Sequence, residues 1–185
     1  MAGRGRQERA WVRAAREGSA PDLEALFELH WPEAYRAAYL VVHDRTAAED
    51  IAQEAFVSIV RHLDDFDRRR QFGPWLQRIV VNRAIDWART RATRKELLIE
   101  DGSKLPSPEG AAGRPESRID SDAEAIVAAL AALSPEQRAV VVLRYLLEYT
   151  PGEIAELLEL PRGTVNSRLR RGLDLLRLEL SEGSG

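Results

Sequence analysis

Residues 150–171, TPGEIAELLELPRGTVNSRLRR, constrain the fold of this chain more than any other stretch. Thr150, Pro151 and Glu153 are typical of a helix start: the threonine and glutamate side chains can each accept a hydrogen bond from the other's backbone N–H, and proline suits the first helical position. Residues 160–163, LPRG, then interrupt the apolar periodicity, and a second periodic run follows. The segment therefore predicts a helix, a short turn and a second helix.

The second of these helices is amphipathic. Val165, Leu169, Leu173 and Leu176 recur at helical spacing and predict its inner side. Arginines and small hydroxyl residues lie on or near the outer side, and the candidates for DNA contact are Thr164, Ser167, Arg168, Arg170 and Arg171. Arginine can bond guanine edges and phosphates, and small hydroxyls allow close approach, so the pattern favours a helix that enters the major groove. An ordinary helical hairpin with a solvated basic face is the alternative.

Charge is distributed in alternating blocks, although the net charge is only −3. Residues 68–95 hold nine basic residues and one acidic residue, and residues 161–177 hold five and one. Residues 22–67 hold eleven acidic and three basic residues. Basic blocks supply the phosphate-binding part of nucleic-acid affinity, whereas acidic blocks must face water or a basic protein partner.

The rest of the chain predicts an all-α fold of two small helical domains. Apolar residues recur at threes and fours through 22–42 and 46–63 and again from Phe72, with no strand pattern. Pro32 predicts a kink or break near His30. Thr46 and Glu49 predict a second capping box at a helix start.

Glycine, proline and serine are densest over residues 101–118, which predicts a linker. We expect an N-terminal domain over 1–100, a linker over 101–121 and a C-terminal domain over 122–185. Ser134 followed by Pro135 predicts a capped helix start within the second domain.

The basic block at 68–95 includes a second candidate nucleic-acid surface, on the helix that begins near Phe72. Its candidate residues are Arg78, Asn82, Arg83, Asp86, Trp87 and Arg89. An asparagine amide can read a base edge, arginines hold phosphates, and a tryptophan can stack on an unpaired base. Core packing is the alternative for Trp87.

An acidic polar face is predicted for the helix over 46–63, with Asp50, Gln53 and Glu54 as candidates for docking a basic protein surface. A solvated face or a metal site are the alternatives, although hard-cation sites usually draw oxygens from loops that wrap the ion.

The sequence contains no pattern typical of an enzyme. There is no cysteine, the three histidines lack metal-ligand spacing, and no glycine-rich phosphate loop precedes a helix. We therefore predict no catalytic residue, no metal and no cofactor. No apolar run approaches the ~20 residues of a membrane span, and no signal peptide is visible, so we expect a cytoplasmic protein.

Three stretches together resemble the extracytoplasmic-function (ECF) sigma factors, the small members of the bacterial sigma-70 superfamily. They are DRTAAEDIAQEAFVSIVRHLDDFD, FGPWLQRIVVNRAIDWARTRATR and LAALSPEQRAVVVLRYLLEYTPGEIAELLELPRGTVNSRLRRGLDLLR. The resemblance implies a factor that directs core RNA polymerase to promoters. A stand-alone helix-turn-helix regulator that binds duplex DNA unaided is the alternative.

The resemblance also implies a role for each surface. Asp50, Gln53 and Glu54 match positions that meet the β′ clamp. Asn82, Arg83 and their neighbours match the minus-10 reading helix. The residues that match the minus-35 reading helix are Arg162, Thr164, Ser167, Arg168 and Arg171, so the resemblance adds Arg162 to the candidates on this helix. It further implies contact with the β flap and a possible anti-sigma partner. Asn166 and Gly172 depart from the family pattern, and the glycine is expected to loosen its helix by roughly 1 kcal/mol.

Overall fold

The computed structural model describes residues 2–67, 70–100 and 118–182, and every regular element among them is helical. The α-helices are α1 (Ala2–Arg16), α2 (Ala20–Val42), α3 (Arg45–His62), α4 (Phe72–Glu100), α5 (Arg118–Ala131), α6 (Pro135–Tyr145), α7 (Pro151–Leu158) and α8 (Arg162–Glu182). A single 3-10 turn, Leu63–Asp65, follows α3. The all-α prediction is therefore confirmed.

The N-terminal helices α1–α4 form one unit in which α2 packs against the other three. Small residues such as Ala34, Ala37 and Ala38 lie fully buried along α2 and allow its neighbours to approach closely. Larger side chains, including Leu26 and Ile59, fill the space between the helices. This packing holds α3 and α4, which carry the candidate docking and minus-10 residues, side by side.

Two local expectations in this unit concerned Pro32 and the start of α3. The break expected near Pro32 is wrong, because helix α2 continues from Ala20 to Val42 with the proline inside it. The expected Thr46 cap is also wrong. Helix α3 is capped by Asp44 and not by Thr46: the Asp44 carboxylate accepts a hydrogen bond from the backbone N–H of Ala47 at 3.0 Å. This hydrogen bond is the principal cause that lowers the pKa of Asp44, with help from Arg91.

Helices α5–α8 form the C-terminal unit, and its two predicted caps are confirmed. Ser134 and Gln137 form a capping box at the start of α6, and Thr150 and Glu153 form another at the start of α7. The hydrogen bonds from Thr150 hold the pKa of Glu153 below its ordinary value. Helix α5 begins at Arg118, inside the range predicted as linker, whereas the rest of the glycine-rich stretch lies outside the described residues.

Gly172 lies buried where α8 crosses α6. A β-carbon built at this position would sit 3.1 Å from Val141 Cγ2 and 3.2 Å from Leu133 Cδ2. The glycine is therefore more than a weak point in the helix, because its missing side chain allows α8 to approach α6 closely. Val165 and Leu169 continue the same buried face, whereas Leu173 is only half-buried.

The two units pack against each other through α6 on α2 and α4, and through α7 on α4. Arg138 lies at the centre of this contact and is only 8% exposed. Its guanidinium donates to the carbonyl oxygens of Leu130 at 2.8 Å, Leu133 at 2.9 Å and Ala131 at 3.1 Å, and to that of Val41 in the other unit. One cation thus caps the C-terminal ends of both α2 and α5.

Candidate nucleic-acid interfaces

Helix α8 presents its candidate residues to solvent because its opposite face is anchored in the core. Val165 is fully buried and Leu169 nearly so, while Arg162, Arg170 and Arg171 are exposed and Thr164, Ser167 and Arg168 are half-exposed. The Ser167 hydroxyl donates to the carbonyl of Thr164 at 2.9 Å, so its oxygen can still accept a hydrogen bond. All six candidates therefore lie on or beside one accessible face.

The turn that positions α8 ends helix α7 in a left-handed conformation. Glu159 has φ 54°, and the backbone N–H of Leu160 donates to the carbonyl of Ala155 at 2.9 Å. These bonds satisfy carbonyls at the end of α7, and α8 then begins at Arg162. The short turn fixes the angle between the two helices.

The four candidate arginines of α8 differ from Arg177 on the same helix, which pairs with Asp174 at 3.4 Å. Within the described parts of the chain, none of the four arginines from 162 to 171 forms an ion pair. Their positive charges are therefore available to phosphate oxygens and base edges.

Helix α4 also brings its candidate residues together, but its arginines form ion pairs, unlike the arginines from 162 to 171 on α8. Arg78, Asn82, Asp86 and Arg89 follow one stripe of the helix, with Arg83 on its flank. Arg78 pairs with Glu159 at 2.5 Å, Arg83 pairs with Glu54 at 2.6 Å, and Arg89 pairs with Glu136. Each candidate arginine on this helix is therefore already engaged by a carboxylate.

Trp87 packs partly against the core, and the guanidinium of Arg91 lies 5.0 Å from its ring centroid. Arg91 also pairs with Asp44 at 2.8 Å. The Trp87 side chain is half-exposed, so one part of the indole packs against the core and another part faces solvent.

Helix α3 exposes Asp50, Gln53 and Glu54 beside a shallow groove. The groove is also lined by Val57, Ser58, Arg61, His62 and Arg83. Val57 and Val60 are each 48% exposed, which is unusual for valine in a helical domain. Acidic and apolar side chains therefore share one outer face of α3.

Burial shifts the pKa values of three groups between the units, Arg138, His43 and Glu136. Desolvation lowers the pKa of Arg138 to about 10, so the guanidinium stays charged at neutral pH. Desolvation and the neighbouring Arg138 charge lower the pKa of His43 to about 4, so this histidine is neutral at pH 7. Burial raises the pKa of Glu136, but its backbone N–H and Arg89 together bring that pKa below its ordinary value.

Sequence reasoning missed Arg138, Glu136 and Glu159. The only local signal for Arg138 is an arginine directly before the apolar run of residues 139–143. Nothing near Glu136 or Glu159 in the sequence indicates partners on α4.

The Sigma-70 region 2 family matches residues 26–94, and the Sigma-70, region 4 family matches residues 123–176. These ranges contain the α3 and α4 surfaces and the α8 surface respectively. The ECF RNA polymerase sigma factor SigW of Bacillus subtilis is 32% identical over 92% of this chain and 95% of its own length. The chain belongs to the ECF RNA polymerase sigma factors.

A second member of the family matches with similar sequence identity, and a solved structure matches in fold. The ECF sigma factor SigL of Mycobacterium tuberculosis is 32% identical over 94% of this chain and 97% of its own. The solved structure of CnrH in complex with the cytosolic domain of CnrY matches with a TM-score of 0.67 at 27% identity, covering 95% of this chain and 98% of that one. Among the described residues, no helix of this ECF sigma factor has the length and apolar character needed to cross a membrane.

Proposed function

We propose that this ECF sigma factor binds core RNA polymerase and holds promoter DNA at two places. The α3 face of Asp50, Gln53 and Glu54 would dock on a basic surface of the β′ clamp, and the C-terminal unit would contact the β flap. The exposed acidic and valine side chains of α3 support this assignment, since they combine charge complementarity with apolar area.

The C-terminal reader would bind duplex DNA at the minus-35 element. The observation that carries this proposal is the set of arginines from 162 to 171 on α8, which form no ion pair within the described residues while an apolar face anchors the helix. A helix held in this way can enter the major groove with its arginines toward base edges and phosphates.

The N-terminal reader would hold the melted minus-10 strand on α4. Asn82 offers an amide for a base edge, Trp87 offers part of a ring face, and the neighbouring arginines offer phosphate contacts. Helix α4 and helix α8 would each contact only a short stretch of DNA. When polymerase holds both helices, binding of one raises the effective concentration of the other at its own DNA element.

No chemical step is assigned to this chain, because the polymerase would make the RNA. The protein would act in the cytoplasm under the control of an anti-sigma protein. The structural relative CnrH has been solved in complex with another protein, the cytosolic domain of CnrY. Run-off transcription with core polymerase tests the function. We expect initiation at a defined promoter, and duplex binding with no effect on core polymerase would support a stand-alone regulator instead.

The minus-35 assignment has a matched pair of variants. Arg171→Ala should weaken binding to minus-35 duplex by ~1–3 kcal/mol if the side chain contacts a base edge. Arg177→Ala removes an arginine from the same helix that already pairs with Asp174 at 3.4 Å, so it should have little effect. Fluorescence polarisation with labelled duplex compares the two. Equal affinities for both variants would refute a role for Arg171 in reading DNA.

A further inference from the structure

Helix α1 carries a stripe of three arginines that lies outside both candidate readers. Arg6, Arg9 and Arg13 are all exposed and stand three or four residues apart, so they follow one side of the helix. The match to the Sigma-70 region 2 family begins at residue 26, which leaves the whole of α1 before the matched range. The docking and reading surfaces described above therefore give this stripe no role.

The opposite side of α1 anchors the helix in the N-terminal unit. Val12 is only 4% exposed, and Trp11 and Ala15 pack partly against the same core. Because this side is held in place, the stripe stays directed toward solvent.

Two polar contacts fix where α1 lies. The backbone N–H of Gly73, in the first turn of α4, donates to the Glu8 carboxylate at 3.2 Å. The Arg16 guanidinium donates to the backbone carbonyl of Asp64, just after α3, at 2.6 Å. Gly73 precedes Arg78 by about 7.5 Å along the axis of α4 at the usual rise per residue. Helix α1 is therefore held beside the end of α4 where the candidate minus-10 surface begins.

Carboxylates do not neutralise the stripe. Within the part of the chain that the structure describes, none of Arg6, Arg9 and Arg13 forms an ion pair. Glu8 faces the core side of the helix, and Glu17 follows the last residue of α1. The stripe thus presents positive charge over about 10 Å of helix length.

The chemistry of the stripe fits phosphate groups better than a membrane or a protein. A helix that lies on a membrane needs a free apolar face, whereas the apolar side of α1 is packed in the core. A protein interface needs apolar anchors at its centre, whereas Gln7 and Ala10 beside the stripe are polar or small. Phosphate contacts depend on charge, and the planar fork of arginine matches phosphate oxygens.

We propose that the α1 stripe is a third DNA contact, which binds phosphates of the duplex without reading its sequence. At 3.4 Å for each nucleotide step, a stripe of about 10 Å spans about three phosphates of one strand. Because α1 lies beside the start of α4, the stripe would hold promoter DNA next to the segment that α4 contacts. That placement rests on the proposed role of α4, whereas the binding of phosphates does not.

The salt dependence of DNA affinity measures this contact in the free chain. Every protein carries Arg170→Gln and Arg171→Gln to weaken the α8 surface, and the probe is a fluorescently labelled duplex of mixed sequence, followed by polarisation. Each phosphate contact contributes about 0.9 to the slope of log affinity against log salt. Arg9→Gln with Arg13→Gln should therefore lower the slope by about 1.8. When salt rises about fourfold, this variant should lose about twelvefold less affinity than the chain that keeps both arginines.

A matched control removes two other arginines and leaves α1 intact. Arg36 is exposed on α2 and forms no ion pair among the described residues, and Arg177 pairs with Asp174. Arg36→Gln with Arg177→Gln should leave the slope unchanged. Equal slopes in this control and in the Arg9 and Arg13 glutamine variant would overturn the contact.

A lysine variant tests whether the partner of the stripe is phosphate. Arg9→Lys with Arg13→Lys should keep most of the slope, because lysine retains the charge that a phosphate contact requires. A lysine variant with the low slope of the glutamine variant would overturn the assignment to phosphates.

Vesicles of phosphatidylglycerol test the membrane alternative. Vesicle binding that disappears in the Arg9 and Arg13 glutamine variant, together with an unchanged slope on duplex, would assign the stripe to a lipid surface and overturn the DNA contact. The duplex assay uses no polymerase, so failure of the proposed function would appear separately, as a native chain that cannot support run-off transcription with core polymerase.

Discussion

Replacing Arg138 by methionine tests how much the hydrogen bonds of this buried side chain contribute to the free energy of unfolding. Methionine fills much of the same volume but cannot donate to the carbonyls of Val41, Leu130, Ala131 and Leu133. The carbonyl of Leu130 keeps one other donor, the backbone N–H of Leu133 at 3.2 Å. With roughly 1 kcal/mol for each of the three remaining acceptors, we expect the free energy of unfolding to fall by about 3 kcal/mol.

Urea denaturation at neutral pH, followed by circular dichroism, measures this change. Arg138→Lys is the informative second variant, because it keeps the charge but lacks the planar fork that reaches several carbonyls at once. We expect an intermediate loss of about 1–2 kcal/mol for lysine. A methionine variant within about 0.5 kcal/mol of the native chain, the usual range for surface substitutions, would refute the argument that Arg138 caps two helices.

Three further outcomes follow from local geometry. Thr150→Ala should cost about 1 kcal/mol of unfolding free energy by removing the α7 cap, whereas Thr90→Ala, which only removes a bond to the Asp86 carbonyl within α4, should be close to neutral; equal losses would contradict the cap. Gly172→Ala should raise the unfolding free energy by less than the ~1 kcal/mol that helix propensity alone predicts, because the added methyl group crowds Val141. In a Val141→Ala background this crowding is relieved, so the gain should come closer to ~1 kcal/mol. The same gain in both backgrounds would contradict the close approach. Between about pH 6.5 and 4, the unfolding free energy of the native chain should fall by about 1–2 kcal/mol more than that of the His43→Asn variant. The reason is that the unfolded histidine binds a proton in this range, whereas the folded histidine has a pKa of about 4 and does not. Parallel pH profiles of the two proteins would contradict this.

Features set by neighbouring residues were predictable from the sequence. The cap at Ser134 and the capping box at Thr150 depend on side chains within three residues of each other, and both helix starts were identified correctly, although the partner Gln137 of Ser134 was not. The Thr46 cap was wrong because Asp44 competes for the same backbone donors, and an aspartate is at least as good a cap as threonine. Local rules thus located the helices but could not rank two adjacent caps.

Features set by distant residues were not predictable. Arg138 meets Val41 across 97 positions of sequence, and Arg89 meets Glu136 across 47. The candidate arginines of α4 and α8 look alike in sequence. The packing of α3 on α4 pairs Arg83, and the packing of the two units pairs Arg78 and Arg89, whereas the arginines from 162 to 171 form no ion pair within the described residues. The crowding at Gly172 likewise depends on how closely α8 approaches α6.

We propose that α4 and α8 of this ECF sigma factor hold promoter DNA at two separate places. Site-specific cross-linking in the polymerase open complex tests it most directly, with a photoreactive residue in place of Asn82 in one protein and Arg171 in another. We predict that position 82 cross-links to the melted minus-10 strand and position 171 to the upstream minus-35 duplex. Cross-links from both positions to the same DNA segment, or from neither, would contradict the account.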